Sequence, residues 1–391
     1  MTNWKTYRWG DIATLEYGKS LRDYRTSSGN IPVFGTNGQV GYTEKALCNF
    51  PSVIIGRKGA YRGVHYSSKP FFVIDTAFYL KPKSKNLDLK FAYYNLLLQD
   101  INGLDSGSAI PSTRREDFYE LEVNLPDLPT QCRIADILSA LDEKIELNRR
   151  MNQTLEQMAQ MLFRQYFVDD IDEEKLPEGW RVGKLGEITV RITKGTTPTT
   201  LKKQFVESGI NFIKVESITE TGSIDLNKLN FIDEETNQLL QRSKVQDRDI
   251  LFSIAGTLGR MAVVSPEILP ANTNQAVAII RPDNSLIEPL YIYYWLKLEK
   301  VREETFSRKV HAVQANLSLS VLSEIEIIIP PLSIQNQKFT EINNLFKKIN
   351  CNGIEIQKLT TLRDTLLPKL MSGEIDVMQT QAADMHEPIL S

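Results

Sequence analysis

The sequence predicts an α+β fold in which two mixed α/β globules are joined by two long antiparallel coiled-coil helices as a pseudo-twofold internal repeat. Three observations predict it. The chain has 391 residues, more than one ordinary hydrophobic core holds. It restarts in the middle, because LPEGWRVGKLGEI (Leu176 to Ile188) echoes NWKTYRWGDI (Asn3 to Ile12), with Trp180 on Trp4 and Gly186 on Gly10. Each half then ends in one long stretch of helical periodicity.

Taken in order, the elements of the repeat keep one sequence. EYGKS (Glu16 to Ser20) faces ITKGTTP (Ile192 to Pro198), and VIIGRKGAYRGV faces FSIAGTLGRMAVV, which sets Gly56 and Gly59 on Gly256 and Gly259. KFAYYNLL faces LYIYYWLKL, matching Tyr93 and Tyr94 to Tyr293 and Tyr294. These tyrosines stand among leucines at helical spacing and read as core. Short β-rich runs such as SVIIG and AVAIIRP, broken by Gly, Asn and Pro, supply the strands. EVNLPDLPTQ (Glu122 to Gln131) and EIIIPPLSIQ (Glu326 to Gln335) close each globule on a shared pattern ending in Gln.

The helices follow. Positions spaced alternately four and three apart are Ile134, Leu138, Leu141, Ile145, Asn148, Asn152, Leu155, Ala159, Leu162 and Tyr166 in the first. In the second they are Ile342, Leu345, Ile349, Asn352, Ile356, Leu359, Leu366 and Leu370, with Lys338 and Arg363 as exceptions. That is a coiled-coil seam, with Asn148 and Asn352 as polar register marks and an amphipathic helix on a core as the alternative. Thr130 and Ser333 stand where N-caps are expected. The order globule, helix, globule, helix makes the pair antiparallel, and a helix of this length would hold the globules about 50 Å apart.

Composition narrows the function. The formal net charge is −3, and the small basic surplus of residues 1–130 is offset by an acidic 131–175, so the chain lacks the surplus of a protein held to nucleic acid by phosphates alone. No apolar run is long enough for a membrane span, and the charged start does not read as a signal peptide, so a cytoplasmic protein is expected. Cys48, Cys132 and Cys351 are scattered and read as reduced thiols without zinc-ligand spacing.

Three catalytic patterns are approached by the sequence and none is complete. Ile329-Pro330-Pro331-Leu332 has apolar residues where a DNA aminomethyltransferase needs an amide or carboxylate and an aromatic ring. Pro126-Asp127 and Glu173-Glu174-Lys175 form a nuclease set only across a long helical segment. Gly56 to Gly59 lacks phosphate-loop spacing, and His65, His311 and His386 have no partners at catalytic spacing. The expectation is a non-catalytic chain that binds no metal.

With the restart LPEGWRVGKLGEI, the helix leaders LPDLPTQ and IPPLSIQNQ, and LRDTLLPKLMSGEI (Leu362 to Ile375), the chain resembles the specificity subunits of type I restriction-modification enzymes over essentially its full length. The resemblance implies target-recognition domains at 1–130 and 176–335, spacer helices at 131–175 and 336–375, and a tail at 376–391. It implies double-stranded DNA as ligand, read as a bipartite asymmetric target, and two methyltransferase subunits docked on the helices. ATP-driven restriction subunits join through these, with S-adenosylmethionine, ATP and Mg bound in the partners and not in this chain. A scaffold for a related methylation or antiviral system without restriction is the alternative.

Base-reading candidates are polar and basic side chains on Gly-flanked loops, because Gly lets backbone approach a groove while Arg, Asn and Gln pair with base edges. In the first half these are Lys19, Ser20, Arg57, Lys58, Tyr61, Arg62, Arg114 and Arg115. In the second they are Lys194, Thr196, Thr197, Arg260, Asn272, Asn274, Gln275, Arg308, Lys309, His311 and Gln314. Trp4 and Trp180 read as packing anchors.

Overall fold

The structure is a computed structural model that describes residues 4–104, 111–307 and 316–378. In chain order the first half contains β1 (Lys5–Arg8), α1 (Trp9–Ile12), β2 (Ala13–Tyr17), β3 (Ile31–Gly35), β4 (Gly38–Thr43), β5 (Ser52–Gly56), β6 (Val64–Ser67), β7 (Phe72–Val73), β8 (Ala77–Pro82), α2 (Leu89–Leu97), α3 (Arg115–Tyr119), β9 (Glu122–Leu125) and α4 (Leu128–Phe167). The second contains β10 (Arg181–Lys184), β11 (Thr189–Lys194), β12 (Ile210–Ile213), β13 (Asn230–Ile232), α5 (Glu234–Leu239), β14 (Ile250–Ser253), β15 (Met261–Val263), β16 (Ala271–Thr273), β17 (Val277–Pro282), α6 (Pro289–Lys297), α7 (Glu299–Ser307), α8 (Leu319–Ser323), β18 (Glu326–Ile329) and α9 (Leu332–Met371). Among the described residues no helix is long and apolar enough to cross a membrane.

Two compact units result, Met1–Ile145 with Lys358–Ser391, and Glu146–Gln357, so the divide falls inside both long helices and not at their ends. Sheet for sheet, the units repeat one topology. The first has orders β2-β8-β5-β6, β4-β3-β7 and β1-β9; the second has β11-β17-β14-β15, β13-β12-β16 and β10-β18.

The glutamine that closes each repeat pattern explains why that pattern is kept. Gln131 is 1% exposed; its Nε2 donates to the carbonyls of Pro126 (2.9 Å) and Asn86 (3.1 Å), and its Oε1 accepts from the Asp88 N–H (3.0 Å). Gln335, 0% exposed, donates to Pro330 (2.7 Å) and Leu286 (3.4 Å) and accepts from the Glu288 N–H (2.8 Å). One buried amide thereby satisfies the backbone at a strand end and at the entry of α2 or α6, where unpaired groups would be costly.

The long helices start earlier than the sequence suggests and end at Phe167 and Met371. Thr130 and Ser333 therefore lie inside the first turn. The capping group of α4 is Asp127, whose carboxylate accepts from the Thr130 N–H at 3.0 Å, while the Pro331 carbonyl accepts from the Ile334 N–H in the first turn of α9.

Within each unit the two helices pair antiparallel. In the first, Leu138 of α4 joins the core with Leu366, Leu367, Leu370 and Met371 of α9, and Leu141 is half-buried. In the second, Ala159, Leu162 and Phe163 pack with Phe339, Ile342 and Leu345, and Leu155 is half-buried. Ile145 and Ile349 are buried, and Leu359 is half-buried.

Both register asparagines are 1% exposed. Asn352 donates to Asn152 Oδ1 (2.8 Å), Asn152 donates to the Ile349 carbonyl (3.2 Å), and Asn148 donates to Glu355 (2.9 Å). Of the two seam exceptions, Lys338 lies over the Tyr166 ring at 4.6 Å and Arg363 pairs with Asp142 at 2.8 Å.

Each unit carries a helical tyrosine to a helix carboxylate. In the first, Tyr94 donates to Asp142 at 2.6 Å; burial, then that bond, pushes its phenol far above the ordinary value. In the second, Glu156 receives Tyr294 (3.3 Å) and Lys297 (2.5 Å), and burial holds the Lys297 ammonium below its ordinary value. Tyr94, Tyr293 and Tyr294 are core residues and Tyr93 is half-buried. Trp4 packs beside Phe91 and Trp180 beside Phe167, with ring centroids 6.4 and 6.2 Å apart.

Candidate nucleic-acid interface

In each unit four loops converge at one end of the four-stranded sheet, and backbone hydrogen bonds join them in the same pattern. In the first, Gly18 N–H donates to Ala77 O (3.1 Å), Lys19 to Val73 O (2.9 Å), Arg57 to Thr76 O (2.9 Å) and Thr113 to Arg57 O (2.9 Å). In the second, Gly195 donates to Val277 O (3.4 Å), Thr196 to Thr273 O (3.2 Å), Ile254 to Ala276 O (2.8 Å) and Leu317 to Ile254 O (2.9 Å).

Glycine is required at the crossing of the first two loops. A Cβ on Gly18 would stand 2.0 Å from the Ile74 carbonyl oxygen, and one on Gly195 would stand 1.9 Å from that of Thr273. The close approach admits no side chain.

This frame corrects one alignment. Gly56 pairs with Ala77 across β5 and β8, and Ser253 pairs with Val277 across β14 and β17, so Gly56 corresponds to Ser253. Gly56 N–H donates to Gly63 O and Ser253 N–H to Arg260 O across loops of equal length, so Gly256 stands at the position of Gly59 and glycine identity had shifted the match by three residues.

On the first frame, Lys19, Ser20, Lys58 and Arg114 are exposed, and Tyr61 is 66% exposed. Arg57 and Arg115 are half-buried against the Tyr17 ring, their guanidinium carbons 4.8 and 4.5 Å from its centroid. Arg57 also donates to the Asp75 carbonyl at 3.1 Å. Tyr17, 44% exposed between two cations, was missed in the sequence because nothing in EYGKS announces a partner for its ring.

Arg62 is corrected. At 2% exposure its guanidinium donates to the carbonyls of Gly59, Ile101, Asn102 and Leu104, so it holds the loop from inside and cannot reach a base. Its sequence context, a basic and aromatic loop, was right for exposure; the carbonyl cage around it comes from residues far along the chain.

On the second frame Lys194 and Gln275 are exposed, and Thr196, Thr197 and Asn274 are half-buried. The Thr197 hydroxyl donates to Gln275 Oε1, and Asn274 Oδ1 accepts from the Ala276 N–H at 3.1 Å, which shapes the turn. Asn272 is corrected too: it is 0% exposed and donates to Asn237 Oδ1 (3.1 Å) and the Leu240 carbonyl (3.2 Å). Arg260 is half-buried and directed at the Ile218 carbonyl (3.3 Å) and Glu220 (3.7 Å). Arg308, Lys309, His311 and Gln314 lie outside the described residues.

Chemically, the first frame offers cations, an aromatic ring and a carboxylate, and the second offers hydroxyl, amide and one lysine. Both sets suit polar base edges and phosphates.

Known proteins bear on this geometry. The chain matches the family described as type I restriction modification DNA specificity domain over residues 1–157 and 177–361. It is 26% identical over 360 residues to the type I restriction enzyme HindI specificity subunit of Haemophilus influenzae, covering 72% of this chain and 74% of that one. It is 29% identical over 294 residues to the MjaIX specificity subunit of Methanocaldococcus jannaschii, covering 72% of this chain and 66% of that one. A crystal structure of a type I restriction-modification S subunit from M. genitalium matches with a TM-score of 0.66 at 23% identity, over 94% of this chain and 96% of that one, a likeness of fold.

Proposed function

The chain belongs to the type I restriction modification DNA specificity family, and we propose that it reads a bipartite, asymmetric target in double-stranded DNA, one half through each unit. The DNA-recognition role is that of the family and of the specificity subunits it resembles. One observation carries the finer reading: two loop clusters share a backbone frame and differ in the side chains they expose. A repeated frame supports two like modes of approach to DNA, and unlike side chains support two different half-sites.

The paired helices are the docking surface for two methyltransferase subunits, and restriction subunits join through them. S-adenosylmethionine, ATP and Mg belong to those partners, and this chain supplies recognition alone. The near-neutral net charge supports this division, since the partners then carry much of the phosphate grip.

The test is selection from random duplex DNA by the chain together with its methyltransferase partner. A split motif with one fixed gap is expected. A single continuous motif, or none, overturns the proposal. Methylation without cleavage in the assembled system would favour the related system that lacks restriction.

A further inference from the structure

The shared frame sets two unlike residues at one position. The turn Ile74-Asp75-Thr76 is held by Ala77 N–H to Ile74 O (3.1 Å), Arg57 N–H to Thr76 O (2.9 Å) and the Thr36 hydroxyl to Thr76 O (2.8 Å). The turn Asn274-Gln275-Ala276 is held by Val277 N–H to Asn274 O (3.3 Å) and Ile254 N–H to Ala276 O (2.8 Å). Asp75 and Gln275 are the exposed middle residues of these equivalent turns.

We propose that Asp75 and Gln275 are specificity-determining residues that read bases, Asp75 accepting from the exocyclic amine of a cytosine in one half-site and Gln275 pairing with an adenine in the other. This rests on the DNA-recognition role and assigns chemistry to it.

Asp75 is out of place for a phosphate-binding surface. Its loop cluster holds Lys19, Arg57 and Lys58, yet among the described residues no ion pair engages its carboxylate, and Arg57 bonds its backbone carbonyl instead. A carboxylate beside phosphates weakens binding to every sequence. Its compensating property is that it accepts hydrogen bonds and donates none, which suits the cytosine amine in the major groove. Gln275 carries both donor and acceptor, the pattern that matches the adenine edge, and the Thr197 hydroxyl bonded to its Oε1 orients the amide. The backbone bonds beneath hold each reading residue on a fixed support.

The experiment is duplex selection with the full chain and its methyltransferase partner, for wild type, Asp75→Ala, Asp75→Asn, Gln275→Ala and Gln275→Glu. Thermal unfolding matched to wild type shows that each variant is folded. Asp75→Ala is expected to lose about 10-fold discrimination at one base pair of one half-site, leaving the other half-site and the gap unchanged. Asp75→Asn should move that preference toward adenine. Gln275→Ala should do the same to one base pair of the other half-site, and Gln275→Glu should move it toward cytosine.

A split motif unchanged in both alanine variants overturns the assignment and leaves the functional reading standing. Uniformly tighter binding by Asp75→Ala to every duplex also overturns it, because the carboxylate would then act by repulsion alone. A wild-type chain that selects no split motif overturns the functional reading, and the assignment falls with it.

Discussion

The first loop frame carries Lys19, Arg57, Lys58 and Asp75 where the second carries Thr196, a buried Ile254 and Gln275, yet the backbone bonds beneath coincide. Backbone N–H and C=O groups pair whatever their side chains are, so a frame built from them survives complete exchange of what it displays. The side-chain requirement that both frames share is negative: Gly18 and Gly195 must have none.

The cores differ as the surfaces do. The second unit closes on rings, with Phe163 within 6.2 Å, centroid to centroid, of Phe167, Tyr291, Tyr294 and Phe339. Its counterpart in the repeat is Leu367, buried among Leu370, Leu138 and Phe91. Phe163→Ala should cost about 3 to 5 kcal/mol and Leu367→Ala about 2 kcal/mol by chemical denaturation. Equal costs would break the contrast between an aromatic and an aliphatic core.

Gln131→Leu and Gln335→Leu sharpen the likeness instead. Each removes one acceptor and two donated bonds from buried backbone groups, and each should cost about 2 kcal/mol, measured as the shift in denaturant midpoint at constant slope. A large effect of one with none from the other would show that the two closing patterns no longer serve one purpose.

The smallest effect separates the readers by pH. His65 of β6 stands opposite Ile54, and the same register in the second reader sets Ala262 opposite Leu251. Burial holds the His65 imidazole below its ordinary value, with the Thr36 backbone opposing. The unfolded chain therefore binds more protons just below the ordinary histidine pKa of about 6.5. The contribution is fully present above that value and is lost as pH falls toward the lowered one. The first unit should lose stability between pH 7 and 5, and His65→Ala, which copies Ala262, should remove that slope. A slope unchanged in the variant would place the acid sensitivity elsewhere.

Several features were legible in the sequence for a physical reason. The repeat, the helix seams and the closing glutamines are patterns of local spacing, and burial enforces such spacing wherever the chain goes. Glycines at the loop crossings were visible as glycines, although the carbonyl each one faces was not.

What tertiary structure decided is which polar side chains face outward. Arg62 and Asn272 look like Arg57 and Asn274 in sequence, but carbonyls and amides from distant segments enclose the first pair and leave the second nearer the surface. Asp75 gave no signal because a lone aspartate in VIDTAF reads as an ordinary turn. Its meaning comes from the cationic loops that nonlocal hydrogen bonds bring beside it, and spacing along the chain does not encode which loops those are.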